Sequence, residues 1–310
     1  MYPTTCVDSL AGCLLVVFRH GYQPVVESFR RDGLTFRVRD VGRPDGPAVV
    51  LLHGFPGSSE TWSEVAGPLA ERGLRVLIPD QRGYSPGARP PGRHRYRIAE
   101  MVADVVALID AAGVDRVHLV GHDWGAVVGW ATAAAHPDRL SSLTALATPH
   151  PGAMRLALRR GGQALRSAYV GLFWLPAVPE RVLLAGRGAG LRSLLAVSGL
   201  SRPWRERYAA AMLQPGALAG ALAWYRALPP AGPAPAAGRI SIPTCFVAAT
   251  GDSTVSPAAV SRSGDFVDGP YRLEHVTTSH WLPEDHPALV ARLITEAIAA
   301  ADGPDLRGRT

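Results

Sequence analysis

The chain has 310 residues, with 32 basic against 26 acidic side chains, a formal net charge of +6 and 47% hydrophobic residues. This balance excludes disorder for most of its length and allows one large domain or a core with an insert. Every basic residue is arginine and lysine is absent, which excludes Schiff-base chemistry, a pyridoxal-phosphate lysine and a Walker lysine.

Residues 1–25 are expected to form a loose extension. Their apolar run, 10–18, has no basic stretch before it and no small-x-small cleavage site after it. It is also far below the roughly 18 residues that cross a bilayer, so neither an export signal nor a membrane association is expected. From residue 26 onward, short β-branched runs alternate with longer helical patterns, as in a mostly parallel sheet covered by helices. Strands are predicted at 27–29 and 34–41 as an antiparallel start, then at 48–53 (AVVLLH), 75–79 (RVLIP), 116–121 (RVHLVG) and 140–147. The unbroken apolar runs fit strands buried on both faces. Helices are predicted from Ser58 or Ser59 to about 72, over 98–112 with Ile98, Met101, Val102, Val105, Val106 and Ile109 on one stripe, and over 124–135.

Near His150 the pattern changes. Residues 150–237 carry only Leu-, Ala- and Arg-rich helical segments ending in a proline-rich stretch, and their many small residues, such as 186–190 and 209–211, would leave a roomy pocket. Strand pattern resumes at 244–249 and 271–276, a last helix covers 287–301, and 302–310 reads as a frayed tail. The expected organisation is an α/β core in two parts, 26–149 and 238–301, split by a helical cap over 150–237.

Charge and cysteines limit the partners. The densest arginine groups, Arg93, Arg95 and Arg97, and Arg155, Arg159 and Arg160, fall short of a stacking platform, so no nucleic-acid partner is expected. Cys6, Cys13 and Cys245 are odd in number and lack metal-ligand spacing. They point to a reducing, cytoplasmic compartment, and no metal or other cofactor is expected.

The most informative junction is Gly121-His122-Asp123-Trp124-Gly125, where a strand runs directly into a helix with glycines two residues either side of an acid. An aspartate at a helix start is ordinarily an N-cap. This spacing is also that of a nucleophile elbow, in which small flanking residues let a sharp turn lift the central side chain above the sheet. Two features favour the elbow. His53-Gly54-Phe55-Pro56 follows the earlier strand, where the Phe55 N–H would form an oxyanion hole with the N–H of Trp124, the residue after the nucleophile. An acid, Asp252, and then a histidine, His280, follow the last two strands in turn.

On these residues the chain resembles the α/β-hydrolases, and within them the epoxide hydrolase and haloalkane dehalogenase branch. The carrying motifs are HGFPG (53–57), DQRGYS (80–85), GHDWGA (121–126), HPDR (136–139), WYRAL (224–228) and SHWLPE (279–284). The resemblance implies an α/β-hydrolase fold with an eight-stranded, mostly parallel sheet and an inserted cap. It implies Asp123 as nucleophile, His280 as general base for water and Asp252 as its orienting acid. A carboxylate attacks saturated carbon rather than an ester or amide, giving a covalent ester. An epoxide leaving group needs a proton donor, and the family's pair of cap tyrosines maps onto Tyr225 and Tyr169, with Tyr208 in reserve. The expected substrate is a small apolar epoxide. A halide leaving group needs N–H donors instead, here Trp124 and Trp174, and keeps dehalogenation as the alternative. Non-catalytic relatives usually lack a triad residue, which this chain does not. His53, His122, Asp80 and Arg82 are expected to set loop geometry, and Trp62 to pack. His150 is open between structure and chemistry, and so are a monomer and a homodimer.

Overall fold

The computed structural model describes residues 25–160, 162–228 and 238–303. The apolar run 10–18, Cys6, Cys13, residues 229–237 and the tail after 303 lie outside them. Eight strands form one sheet: β1 (Ser28–Arg31), β2 (Leu34–Gly42), β3 (Ala48–Leu52), β4 (Arg75–Pro79), β5 (Val117–His122), β6 (Leu140–Leu146), β7 (Thr244–Ala249) and β8 (Tyr271–Val276). Their spatial order is β1-β2-β4-β3-β5-β6-β7-β8. β2 pairs antiparallel with β1 and β4, and all other neighbours are parallel, as the alternating pattern predicted.

The helices are α1 (Ser63–Ala70), α2 (Ile98–Ala111), α3 (Trp124–Ala135), α4 (Pro151–Arg160), α5 (Gln163–Arg166), α6 (Tyr169–Phe173), α7 (Val178–Val197), α8 (Arg202–Met212), α9 (Ala217–Ala227), α10 (Pro257–Ser261), α11 (Leu282–Asp285) and α12 (Pro287–Asp302). None of the described helices is long and apolar enough to cross a membrane. The single helix predicted from 58 to 72 is instead a 3-10 turn, Ser59–Trp62, followed by α1. The Ser58 hydroxyl caps that turn by accepting the Glu60 N–H, and Asp80 accepts the Ser59 N–H at 2.9 Å.

β3, β4 and β5 are buried along their full length because alternate residues feed two cores. Val50, Leu52, Leu77 and Leu119 join Met101 and Val105 of α2 and Trp130 of α3. Val49, Leu51, Val76 and Val120 join Val65 and Leu69 of α1 and Ile294 and Ile298 of α12. The parallel register aligns Leu52 with Gly121, His122 with Leu146 and Leu146 with Val247. The loops that leave β3, β5, β6, β7 and β8 therefore gather at one carboxyl edge, where open α/β sheets bind ligands.

Helices α4 to α9 intervene between β6 and β7, with no strand among the described residues there. They cover that edge through specific anchors. A Cβ on Gly83 would lie 2.5 Å from the Gly220 carbonyl oxygen, and one on Gly220 only 2.3 Å from that of Gly83, so α9 rests backbone to backbone on the 80–85 loop. The Trp224 indole N–H donates to the Arg82 carbonyl at 2.7 Å, and the buried Arg82 guanidinium is held by Asp104 at 2.6 and 2.8 Å. The small residues of α7 and α8 do not open the pocket as expected. A Cβ on Gly190 would meet the Val182 carbonyl at 2.2 Å and one on Gly188 would touch Ala209, so they close packing within and between these helices.

Alanine inside a helix ordinarily gains about 1 kcal/mol over glycine. For Gly220→Ala the approach to Gly83 reverses the sign. The variant is expected to lose about 1–3 kcal/mol in urea unfolding, as overpacking does; an increase in stability would contradict this account of how α9 docks.

Candidate active site

β5 ends at His122 and α3 begins at Trp124, leaving Asp123 alone in the turn at φ 54°, ψ −121°. A non-glycine residue there carries about 1–3 kcal/mol of strain, held in place by its surroundings. The glycines either side are required sterically. A Cβ on Gly121 would lie 2.3 Å from the Gly125 carbonyl oxygen, and one on Gly125 would lie 2.1 Å from that of Leu52. Gly54 lies against the carboxylate itself, since its Cβ would fall 2.3 Å from Asp123 Oδ1. The Phe55 N–H donates to that same oxygen at 2.8 Å. The Trp124 N–H sits in the first turn of α3, where backbone donors have no intrahelical acceptor.

The second carboxylate oxygen, Asp123 Oδ2, is 3.5 Å from His280 Nε2. On the far side of the ring, His280 Nδ1 donates to Asp252 Oδ2 at 2.6 Å. Asp252 is fixed in turn by the Thr254 backbone N–H and hydroxyl, both 2.7 Å from Oδ1. Burial by itself would lower the His280 pKa, but Asp252 and Asp123 outweigh it and raise it well above 6.5. Burial would likewise raise the Asp123 pKa, but the His280 hydrogen bond and charge, with His122 and the Phe55 N–H, bring it below the usual carboxylate range. The resting site is therefore an imidazolium between two carboxylates.

Asp123, Trp124 and His280 open onto a cavity of about 570 Å³ between the sheet edge and the cap helices. Its walls are mostly apolar, including Ile98, Val127, Met154, Val170, Leu228 and Val255. Tyr225 of α9 and Tyr169 of α6 both line it, their rings 6.4 Å apart and edge-on. Tyr225 also meets Trp124 and Phe55 edge-on, at 5.0 and 5.3 Å. Burial, with Tyr169 and Asp123 adding to it, holds the Tyr225 pKa well above 10, so its hydroxyl stays protonated. Tyr169 is 37% exposed as a residue, yet burial of its hydroxyl also raises its pKa. Trp174 lines the cavity, but its indole N–H is committed to the Tyr225 carbonyl at 2.9 Å. Tyr208, the reserve, stands elsewhere, with its hydroxyl between Thr61 Oγ1 at 2.8 Å and Glu284 Oε1 at 2.6 Å.

Residues 47–287 match the family model for the alpha/beta hydrolase fold. The chain belongs to the α/β-hydrolase fold family. It is 33% identical to the AB hydrolase superfamily protein YfhM of Bacillus subtilis (strain 168), over 86% of this chain and 94% of that protein. It is 31% identical to epoxide hydrolase A of Mycobacterium tuberculosis, over 87% of this chain and 96% of that protein. Among solved structures, epoxide hydrolase A from Mycobacterium thermoresistibile aligns with a TM-score of 0.74 at 25% identity, covering 89% of this chain and 97% of that one.

The remaining polar residues of this hydrolase hold its loops. His53 Nε2 accepts the Gln81 N–H at 3.1 Å, and His122 Nε2 donates to the His280 carbonyl at 2.9 Å. Asp80 and Arg82 do not pair with each other but with the Ser59 N–H and Asp104. Trp62 is fully buried in the core. His150 accepts the Gly152 N–H and donates to the Gly238 carbonyl, which ties α4 to the second part of the core. Among the described residues no group of three or more His, Cys, Asp or Glu side chains is placed to hold a metal. Two features escaped the sequence reading. The Asp252-x-Thr254 turn was open to it, since an aspartate two residues before a threonine is a common local hydrogen-bond signature. The Thr61–Tyr208–Glu284 chain was not, because its members come from three distant segments.

Glu284 is buried, its Oε2 has no hydrogen-bond partner, and burial pushes its pKa from 4.5 up to about 7. Between those two values the folded protein holds a proton that the unfolded chain has released, so stability falls as pH rises through that window. The loss amounts to about 3 kcal/mol by pH 8. Glu284→Gln is expected to flatten the fall in melting temperature between pH 5 and pH 8; an unchanged slope would assign it to other groups.

Proposed function

We propose that this hydrolase converts an epoxide and water to a vicinal diol through an ester on Asp123. The observation that carries this reading is that an Asp123 carboxylate held ionised and two tyrosines held protonated line one mostly apolar cavity. An oxirane there meets its nucleophile on the carbon and a proton donor on the oxygen. Asp123 Oδ1 already receives the Phe55 N–H, so Oδ2 attacks the carbon. Tyr225, with Tyr169, gives a proton to the alkoxide that forms, which is far more basic than a phenolate. Its similarity over most of the chain to epoxide hydrolase A of Mycobacterium tuberculosis and of Mycobacterium thermoresistibile supports the same reading.

The second step follows from charge. Alkylation removes the negative charge of Asp123, so His280 keeps one counter-charge instead of two and releases its proton more readily. Neutral His280 then takes a proton from water as the water attacks Asp123 Cγ. Negative charge grows on Oδ1, where the N–H groups of Phe55 and Trp124 receive it. The Cγ–Oδ2 bond breaks, His280 returns its proton to the departing oxygen, and the diol leaves with an oxygen that belonged to Asp123. The new Asp123 carboxyl then gives its remaining proton to His280, and the proton His280 released on alkylation replaces the one the tyrosine gave. Dehalogenation is disfavoured because the Trp174 indole N–H serves the Tyr225 carbonyl, leaving Trp124 without its expected partner for a halide.

Incubation with styrene oxide, a 1,2-dihaloalkane and a nitrophenyl ester, measuring diol, halide and phenolate, is expected to give diol. Halide release without diol would refute the reading. In a single turnover in ¹⁸O-labelled water, the first diol should carry unlabelled oxygen from Asp123. Asp252→Asn should slow ester hydrolysis at least about a hundredfold while alkylation persists, so that an ester accumulates. Tyr225→Phe should slow epoxide opening about tenfold to a hundredfold. The ester-decay rate should rise with pH through the His280 pKa of the alkylated enzyme and then level off, whereas alkylation should stay flat across that range.

A further inference from the structure

Among the described residues, the charged side chains lining the cavity are Asp123, His280 and Arg155. His280 is shared between Asp123 at 3.5 Å and Asp252 at 2.6 Å, so its charge is already met. Arg155 is half-buried and has no hydrogen bond, ion pair or ring contact among the described residues. No counter-ion is near in the sequence either, since residues 140–179 contain neither Asp nor Glu, and 229–237 contain none. A cation drawn into an apolar wall loses hydration that a partner would restore.

Its position is equally specific. Pro151, Met154, Arg155 and Leu158 recur at i, i+3, i+4 and i+7 and all line the cavity, so Arg155 interrupts an otherwise apolar stripe of α4. Thr148 and Pro149, on the loop leaving β6, line the cavity beside Asp123, which leaves β5 at the same level. Leu158 of the same stripe is 46% exposed. Arg155 therefore stands along α4 between Pro151 and this exposed residue, one helical turn or about 6 Å beyond Pro151.

We infer that Arg155 forms a carboxylate subsite, so that the preferred substrate is an epoxide joined through an apolar chain to a carboxylate. This rests on the epoxide-hydrolase reading and names its substrate class. The oxirane lies at Asp123, methylenes run along Met154 and Val127, and the guanidinium takes the carboxylate in its planar fork. One guanidinium balances one carboxylate charge. A phosphate, with close to two negative charges, would leave an excess in an apolar cavity.

The test compares kcat/KM for 10,11-epoxyundecanoic acid, its methyl ester, neutral 1,2-epoxydecane and an ω-epoxyalkyl phosphate of equal length. The wild-type enzyme should prefer the acid over its ester by about tenfold to a hundredfold, the range of a charge-assisted hydrogen bond. In Arg155→Met that ratio should fall close to one, mainly through KM, and Arg155→Lys should keep part of it. The ester's turnover by each variant normalises any change in folding. Equal turnover of acid and ester by the wild type, an unchanged ratio in Arg155→Met, or a preference for the phosphate would overturn the subsite. Turnover of the neutral epoxide without preference for the acid removes the subsite alone, whereas no diol from any epoxide removes the epoxide-hydrolase reading with it.

Discussion

The site depends on one backbone constraint, the turn at Asp123. A β-strand and an α-helix meet there with a single residue between them, and that residue is forced to φ 54°. The turn exists because three glycines leave room for it: Gly121 and Gly125 against each other and against β3, and Gly54 against the carboxylate. Its strain is offset by the buried sheet on one side and by α3 on the other. The same crowding delivers the Phe55 N–H to Asp123 Oδ1. Asp123 and the Phe55 N–H are thus positioned by one packing event, and neither can shift without the other.

The electrostatics build outward from that turn. Asp252, buried and held by Thr254, and Asp123 bracket His280 and keep it charged at rest. Such a cluster suits the two steps proposed for it, because the charge that the first would consume sets the basicity that the second would need. His122 contributes by remaining neutral: burial and the His280 charge lower its pKa to about 4. It can then donate to the His280 carbonyl without adding a second positive charge.

The cap helices solve a separate problem. They hold Tyr225 and Tyr169 in the wall of the cavity that Asp123 also lines, while leaving that cavity open. The anchors lie away from the cavity: Gly83 on Gly220, Trp224 on the Arg82 carbonyl, and Trp204 and Tyr208 on Glu284. Because Trp224 is fixed to the core, its neighbour Tyr225 is directed at Phe55 and Trp124. The cavity wall itself is left to residues with few polar ties, among them Met154, Arg155 and Leu158, whose identity can vary without loosening the cap.

The parallel core was legible in the sequence because strands buried on both faces leave unbroken apolar runs such as AVVLL and RVLIP, and helices between them repeat at 3.6 residues. Asp123, Asp252 and His280 were legible because each occupies a fixed place after a strand, where chain order alone determines which edge it reaches. The glycine spacing around Asp123 was readable for the same reason, being a local steric requirement. The split of the 58–72 helix was not, since it depends on Asp80, supplied by another strand's loop. Nor could the sequence place the cap side chains. Tyr208 and Tyr225 have similar helical surroundings, and only the docking of α8 on Glu284 and of α9 on Gly83 turns one into the seam and the other into the cavity wall. Arg155 looked like one more surface arginine until α4 was seen to turn that face inward. Local sterics and strand order are written in short stretches of sequence; which face of a helix meets the core is a property of the assembled chain.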